Sequence, residues 1–355
     1  MAYRSSTVNK LVIRALYGKS TSLNLNSRSV FSVPECVSRL TNLSVLLLRN
    51  NFITGLPPQL LSLQQLSILN LGNNALKEVP LVLNRLKSLK KLYLFSNQIA
   101  AVPPGVIGHL ENLVVLNLNH NNIQRLPSDI KSLRKLQHLS LQNNKLEELP
   151  REVGYLTKLR ELNLTFNKLS WLPLQLYQCR ELTKLHAARN QLTSLPDGIV
   201  ALDKLQVLDV AGNRLSMFPV EFHLLPLKEL HCESNRLVKR EPVLSLPNPD
   251  VLSLKELVAR FVLQEDQNKF SLVHMMLPRY PDVSALLTSS SSCAFCQHPF
   301  LTTRLECVHF VNLKKDMNLR SSLTVPVRAF LCSHKCLNSD GHSYYGVVTN
   351  KMKVH

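Results

Sequence analysis

Five of the chain's eight cysteines fall within 44 of its 355 residues, and their spacing is that of a metal site. Cys293-Ala-Phe-Cys296 is a C-x2-C loop, and Cys332-Ser-His-Lys-Cys336 is a C-x3-C loop 35 residues later. Zinc takes four soft ligands in a tetrahedron, and each short loop offers two thiolates. The spacing therefore predicts one structural zinc held by Cys293, Cys296, Cys332 and Cys336, with Cys307, His298, His309, His334 and His342 as spare ligands. The competing reading is a set of buried apolar thiols. Disulfides are the weaker reading. A secretory signal needs a longer apolar core than Leu11-Val12-Ile13, so a reducing, cytoplasmic setting is expected.

Other reactive patterns are missing. There is no G-x-G-x-x-G, H-E-x-x-H or G-x-S-x-G motif. Gly18-Lys19-Ser20 lacks the earlier glycine of a phosphate loop, because Ile13 stands there. Only ten residues are glycine, and the histidines stand apart from any nucleophile. No enzyme is expected, and no cofactor beyond zinc. No run of 18 apolar residues exists, so no membrane-spanning segment is expected.

The elements that position these residues follow from a fixed period. From Leu43 the chain reads Leu-x-x-Leu-x-Leu-x-x-Asn-x-Ile-x-x-Leu-Pro, and the pattern restarts at Leu66, Leu89, Leu113, Leu136, Leu159, Leu182 and Leu205. Degenerate copies precede it (Leu23, Leu25, Val30, Val33, Pro34) and follow it (Leu227, Leu230, Cys232, Asn235, Leu237). This is a leucine-rich repeat, and stacking is obligatory because no copy buries its leucines alone. The prediction is an α/β solenoid: a leucine-rich repeat horseshoe whose ten short parallel strands make a concave sheet roughly 40–45 Å long. Its recurring asparagines, Asn51 to Asn235, satisfy backbone groups where the chain leaves each strand. Each Leu-Pro step directs the chain along the convex side. A small helical and Cys-rich C-terminal region follows.

The solenoid places one set of side chains on its concave face. Those expected to meet a partner are Arg49, Lys91, Tyr93, Phe95, His138, Phe166, His186, Arg189, Asp209 and Glu233. Aromatic anchors in a polar field suit a protein ligand. The formal net charge of +18 raises nucleic acid as a partner. The basic residues are spread along the convex turns, as at Arg85-Lys87 and Lys131-Arg134-Lys135, rather than gathered in a groove. No nucleic-acid partner is expected.

Residues 1–34 hold five basic residues, seven serines and no acid, a composition that transit peptides share. Residues 23–34 already follow the repeat, so the favoured reading is a capping helix over 1–19 with Val8, Leu11, Val12, Ala15 and Leu16 inward. The solenoid is assigned to 20–238, a helical cap or recruitment box to 239–290 and the Cys-rich module to 291–355. Lys239-Arg240-Glu241-Pro242 and Pro247-Asn248-Pro249 mark the exit from the repeats. Ser253-Leu254-Lys255-Glu256 has capping-box spacing and predicts a helix over roughly 253–263. Shorter helices are predicted at 271–277 and from Val283 to Leu287, and strands at Leu305–Leu313 and Val325–Leu331.

The order of parts also carries a resemblance. Asn9-Lys10-Leu11-Val12-Ile13-Arg14 precedes the repeats; Arg260-Phe261-Val262, Arg279-Tyr280-Pro281, Leu305-Glu306-Cys307-Val308 and Leu331-Cys332-Ser333 follow them. With the two Cys loops, this resembles the leucine-rich repeat-containing protein 69 family over nearly the whole chain. The resemblance implies an intracellular protein without an assigned activity. Separately, Leu254-x3-Val258-x3-Val262, followed by Leu277-Pro278 and Val283-Ser284-Ala285-Leu286-Leu287, resembles the box by which ubiquitin-ligase substrate receptors hold elongin and a cullin. Such boxes carry Cys or Ala where Val258 stands. That resemblance implies an alternative role as a substrate receptor.

Overall fold

A computed structural model describes residues 2–238, 252–339 and 342–347; the predicted exit signals at 239–242 and 247–249 lie outside the described residues. The chain forms two compact units. One holds Met1–Leu215 and Leu224–Arg236, and the other holds Ser216–His223 and Leu237–His355.

In the first unit, helix α1 (Ala2–Tyr17) buries Val8, Val12 and Ala15, while Leu16 stays exposed. Ten three-residue strands follow: β1 (Ser22–Asn24), β2 (Val45–Leu47), β3 (Ile68–Asn70), β4 (Lys91–Tyr93), β5 (Val115–Asn117), β6 (His138–Ser140), β7 (Glu161–Asn163), β8 (Lys184–His186), β9 (Val207–Asp209) and β10 (Glu229–His231). They pair in parallel and in chain order as one sheet. The register aligns the central leucines from Leu23 through Leu46, Leu69 and Leu92 to Leu230. All of these are buried, and their strand neighbours alternate to the opposite face. The convex connections are short 3-10 turns rather than α-helices. Six open directly after a repeat's proline, at Pro34, Pro57, Pro80, Pro127, Pro150 and Pro173. A proline with extended ψ delivers the chain to such a turn and contributes no unsatisfied N–H there.

The ladder asparagines close the interior. Asn144 is typical: its Nδ2 donates to the carbonyls of Leu118 and Leu141 at 3.0 Å each, and its Oδ1 accepts the Ile123 N–H at 3.1 Å. One amide thus serves three backbone groups in two repeats. Replacing Asn144 by Ala orphans the Ile123 N–H inside the stack and leaves the Leu118 and Leu141 carbonyls with only the Nδ2 groups of Asn121 and Asn167. The expected loss is roughly 2–4 kcal/mol of stability, read as a lower urea midpoint.

The residue before each ladder asparagine takes a left-handed conformation, with φ between 51° and 58° at Asn50, Asn73, Ser96, His120, Asn143, Phe166, Arg189 and Ser234. Gly212 holds the same place with φ 67°. Asn and Gly accept this backbone readily, whereas a bulky side chain there costs on the order of 1 kcal/mol. Phe166 and Arg189 bear that cost.

In the second unit, α2 (Leu254–Asp266), α3 (Leu272–Met276) and α4 (Pro281–Leu287) precede a β module. Strands β11 (Ser291–Ser292) and β12 (Pro299–Phe300) form a hairpin. Strands β13 (Leu305–Asn312) and β14 (Thr324–Leu331) pair antiparallel over eight residues, and β15 (Tyr344–Val347) lies on the other side of β13. Helix α5 (Leu313–Asp316) follows β13, and α6 (His334–Leu337) follows β14. Ser216–His223 lies inside the repeats in sequence but groups with this unit. The Phe218 N–H donates to the Pro326 carbonyl at 2.8 Å, and the Arg328 N–H donates to the Phe218 carbonyl at 2.9 Å. Phe218 and Phe222 are fully buried and stack 4.2 Å apart.

Candidate functional site

Both cysteine loops lie where strands end. Cys293 and Cys296 sit in the turn of the β11–β12 hairpin; Cys332 follows β14 directly, and Cys336 lies one turn later in α6. Ser333 starts that turn, its Oγ accepting the Cys336 N–H. The four Sγ atoms all lie within 4.8 Å of one another. The Cys296–Cys332 and Cys332–Cys336 sulfurs are 3.6 Å apart in each case. Zinc–sulfur bonds of about 2.3 Å give a tetrahedron with edges of about 3.8 Å, so the donor set and its spacing fit the metal.

The backbone prepares these sulfurs. The Cys332 N–H donates to Cys293 Sγ at 3.3 Å. Burial raises the Cys293 thiol, but N–H groups of Cys296, Cys332 and Phe295 outweigh it and bring the pKa down to about 7. A thiolate is the form that a metal takes. Burial pushes Cys332 and Cys336 up, and the neighbouring thiol of Cys296 adds to this. Four crowded thiols share their negative charge at low cost only when a cation joins them. Cys307 is separate: burial pushes it up to about 12, and it fills the core beside Phe300, Phe330 and Leu331. Two spare ligands are engaged elsewhere. His342 Nε2 is 2.7 Å from the Leu337 carbonyl, and His309 Nδ1 is 2.9 Å from Ser343 Oγ.

Helix α2 is tied to this module by one carboxylate. Ser253 Oγ accepts the Glu256 N–H at 3.2 Å, which is half of the predicted capping box. The other half does not form, because the Glu256 side chain turns inward and is 0% exposed. Its oxygens accept the N–H groups of Leu301 at 3.0 Å, Thr302 at 2.8 Å and Thr303 at 3.1 Å, and the Thr302 hydroxyl at 3.0 Å. Arg260 Nε donates to it at 2.9 Å, while Arg260 Nη2 donates to the carbonyls of Thr303 and Cys332. Burial alone would raise this carboxyl; Arg260 and the three N–H groups overcome that and hold it at about 2. The opposite side of α2 is apolar and open, with Leu254 77% and Val258 52% exposed beside Leu257 and Phe261. Val262, the third residue of the recruitment pattern, packs instead against the cluster of Ala259, Leu287 and Leu301.

On the sheet of the first unit, the predicted partner-binding residues form small groups. Arg49 lies over the Phe95 ring at 5.3 Å, and Arg189 lies over the Phe166 ring at 4.9 Å. His138 Nδ1 meets Glu161 Oε2 at 3.2 Å. His186 and Asp209 pair in register on β8 and β9, while Lys91 and Tyr93 share β4. Glu233 is exposed two residues past β10. Sequence spacing marked Glu256 only as a helix cap, because its N–H partners at 301–303 lie 45 to 47 residues away, and the carbonyls that Arg260 reaches lie 43 and 72 residues away.

The leucine rich repeat family profile matches residues 41–99 and 87–146, and the leucine-rich repeat region profile matches residues 128–241. With ten stacked parallel strands, these define a leucine-rich repeat protein. The chain belongs to the leucine-rich repeat-containing protein 69 family: the Xenopus laevis protein of that name is 53% identical over 338 residues, covering 95% of this chain and 98% of the relative. The Mus musculus protein of that name is 39% identical over 130 residues, 36% of this chain and 38% of the relative. A solved Leptospira interrogans leucine-rich repeat protein aligns at 30% identity over 62% of this chain and 68% of its own, with a TM-score of 0.46. Among the described residues, no helix is long and apolar enough to cross a membrane.

Proposed function

We propose that the chain is a non-enzymatic protein-interaction scaffold of the cytoplasm, whose concave face binds a protein partner. The observation that carries this reading is the set of aromatic and charged side chains left at the surface of an otherwise apolar-cored sheet, with Phe166 46% exposed and Arg49, Lys91 and Arg189 open to solvent. Such a surface buries aromatic anchors against a partner and surrounds them with polar groups. The test is proximity labelling in cells. Tyr93→Asp combined with His186→Asp leaves the buried leucines untouched and is expected to remove a defined subset of neighbours. An unchanged neighbour set contradicts the reading.

The Cys293, Cys296, Cys332 and Cys336 centre holds one structural zinc in this reading. Its role is a cross-link between the β11–β12 turn and the end of β14, a task that four thiolates perform without an open coordination position. The residues themselves supply the preorganised N–H groups and the small apolar core around them.

A second reading is a substrate receptor that recruits elongin and a cullin through 253–287. The observation favouring it is the open apolar side of α2 at Leu254 and Val258. Leu254→Asp adds a charge at an exposed position and leaves folding intact. If the receptor reading holds, the elongin heterodimer co-purifies with the wild-type chain and is lost from this variant. Its absence from the wild-type chain contradicts the receptor reading and leaves the scaffold reading standing.

A further inference from the structure

The concave face carries two copies of the same device. In each, the guanidinium carbon of an arginine lies over a phenylalanine ring from another repeat, Arg49 5.3 Å from the Phe95 centroid and Arg189 4.9 Å from that of Phe166. Neighbouring glycines make room for both. A Cβ on Gly72 would collide with the Phe95 ring, and one on Gly212 would sit 3.3 Å from Arg189 Cγ. At the second pair, both members occupy left-handed backbone, φ 58° at Phe166 and 53° at Arg189, where most other repeats use Asn, Ser or Gly. Side chains kept at a position that disfavours them point to a use for those side chains. Among the described residues neither guanidinium meets a carboxylate, whereas the convex Arg125, Arg151 and Lys204 each lie beside a glutamate. A guanidinium stacked on a ring still offers its edge N–H groups for bidentate contact with a carboxylate.

We infer that these two arginine–phenylalanine pairs form a double seat for an extended acidic peptide, with one carboxylate side chain received at each pair. This rests on the concave-face reading above and specifies its ligand. Phe95 and Phe166 follow strands three steps apart, β4 and β7. At about 4.8 Å per step this is about 14 Å, which an extended chain covers in about four residues. The matching peptide therefore has two Glu or Asp residues about four positions apart. A continuous polyanion fits less well. Its phosphates would pass Glu161 on β7, and beyond the second seat lie Asp209, Glu229 and Glu233. A peptide charged only at two points passes Glu161 with a neutral residue.

The experiment measures fluorescence anisotropy with the full chain and labelled peptides of about 12 residues in a Ser/Gly background. The peptide with two glutamates four apart is expected to bind about tenfold more tightly than its glutamine twin, and than one with glutamates seven apart. Phe166→Asn with Arg189→Asn removes one seat and installs the residue that this backbone prefers. Affinity for the doubly acidic peptide is then expected to fall about tenfold while Tm changes by no more than about 2 °C. Equal binding of the glutamate and glutamine peptides overturns the inference, as does no binding up to about 1 mM, or tighter binding of a single-stranded RNA lost in the same variant. If peptide binding fails while proximity neighbours still depend on Tyr93 and His186, the inference falls and the concave-face reading survives. If the neighbours ignore those substitutions too, both fall.

Discussion

Stripping zinc from the full chain with a strong chelator is expected to melt the region around 291–347 and leave the ten-stranded sheet folded. The β module's cluster around the cysteines is small: Cys293, Phe300, Cys307, Phe330, Leu331 and Cys336 are buried there, two of them proposed zinc ligands, while Val308, Val311, Val325 and Val327 are buried elsewhere on β13 and β14. Structural zinc supplies about 10–16 kcal/mol in small domains, more than a core of this size contributes. Without the cation, burial raises Cys332 and Cys336 towards the neutral thiol, while the N–H groups that face Cys293 hold it at about 7. Hydrogen exchange read by mass spectrometry separates the two regions in one sample. Protection across β13 and β14 should collapse on chelation, while protection of the strands from Val45 to Asp209 persists. Cys293→Ser should bring zinc from about one per chain to about a tenth or less. Undiminished protection of β13 and β14 in metal-free protein would sink the zinc assignment.

Glu256→Ala is expected to cost about 3–5 kcal/mol in the second unit and to release α2. The substitution orphans three backbone N–H groups and one hydroxyl, and takes the carboxylate from Arg260 Nε, in a site where the carboxylate is fully buried. Glu256→Gln keeps the shape but points an amide at donors, so it should recover only part of that loss. Acid tests the same group without mutation. The folded carboxyl titrates at about 2 against an ordinary 4.5, so its stabilisation is complete above the ordinary value and is lost as pH falls from about 4.5 to about 2. The shift is equivalent to about 3 kcal/mol. Hydrogen exchange in α2 should rise across that window and should not do so in Glu256→Gln. Glu265→Gln on the same helix should leave the transition in place.

The solenoid was legible because its signal repeats. Leucine and asparagine columns kept in phase over eight copies leave one way to bury the leucines, and strand positions follow at once. The left-handed step was hidden, because Ser96, His120, Phe166 and Arg189 do not announce it and only the shared register reveals it. The cysteine centre was legible from spacing alone, since short loops bring two sulfurs each. Glu256 was marked by its spacing from Ser253 but read as a helix cap. Its real partners are N–H groups of 301–303, and local rules do not reach across 45 residues. Ser216–His223 misled the pattern in another way. Its Phe218 and Phe222 fit the repeat's apolar positions, yet Phe218 bonds to β14. A chain cut near Val238 would strand two buried phenylalanines, so single substitutions test the faces more cleanly than truncation.

The central claim is that a protein partner lies on the concave face. Site-specific photo-crosslinking in cells tests it most directly, with the photoreactive residue placed in turn at Tyr93, Thr165 and His186 on the sheet face and at Gln64 and Lys158 on the convex side. The three sheet positions are expected to capture the same protein, and the convex positions are not. Capture of a partner from the convex positions alone would contradict it.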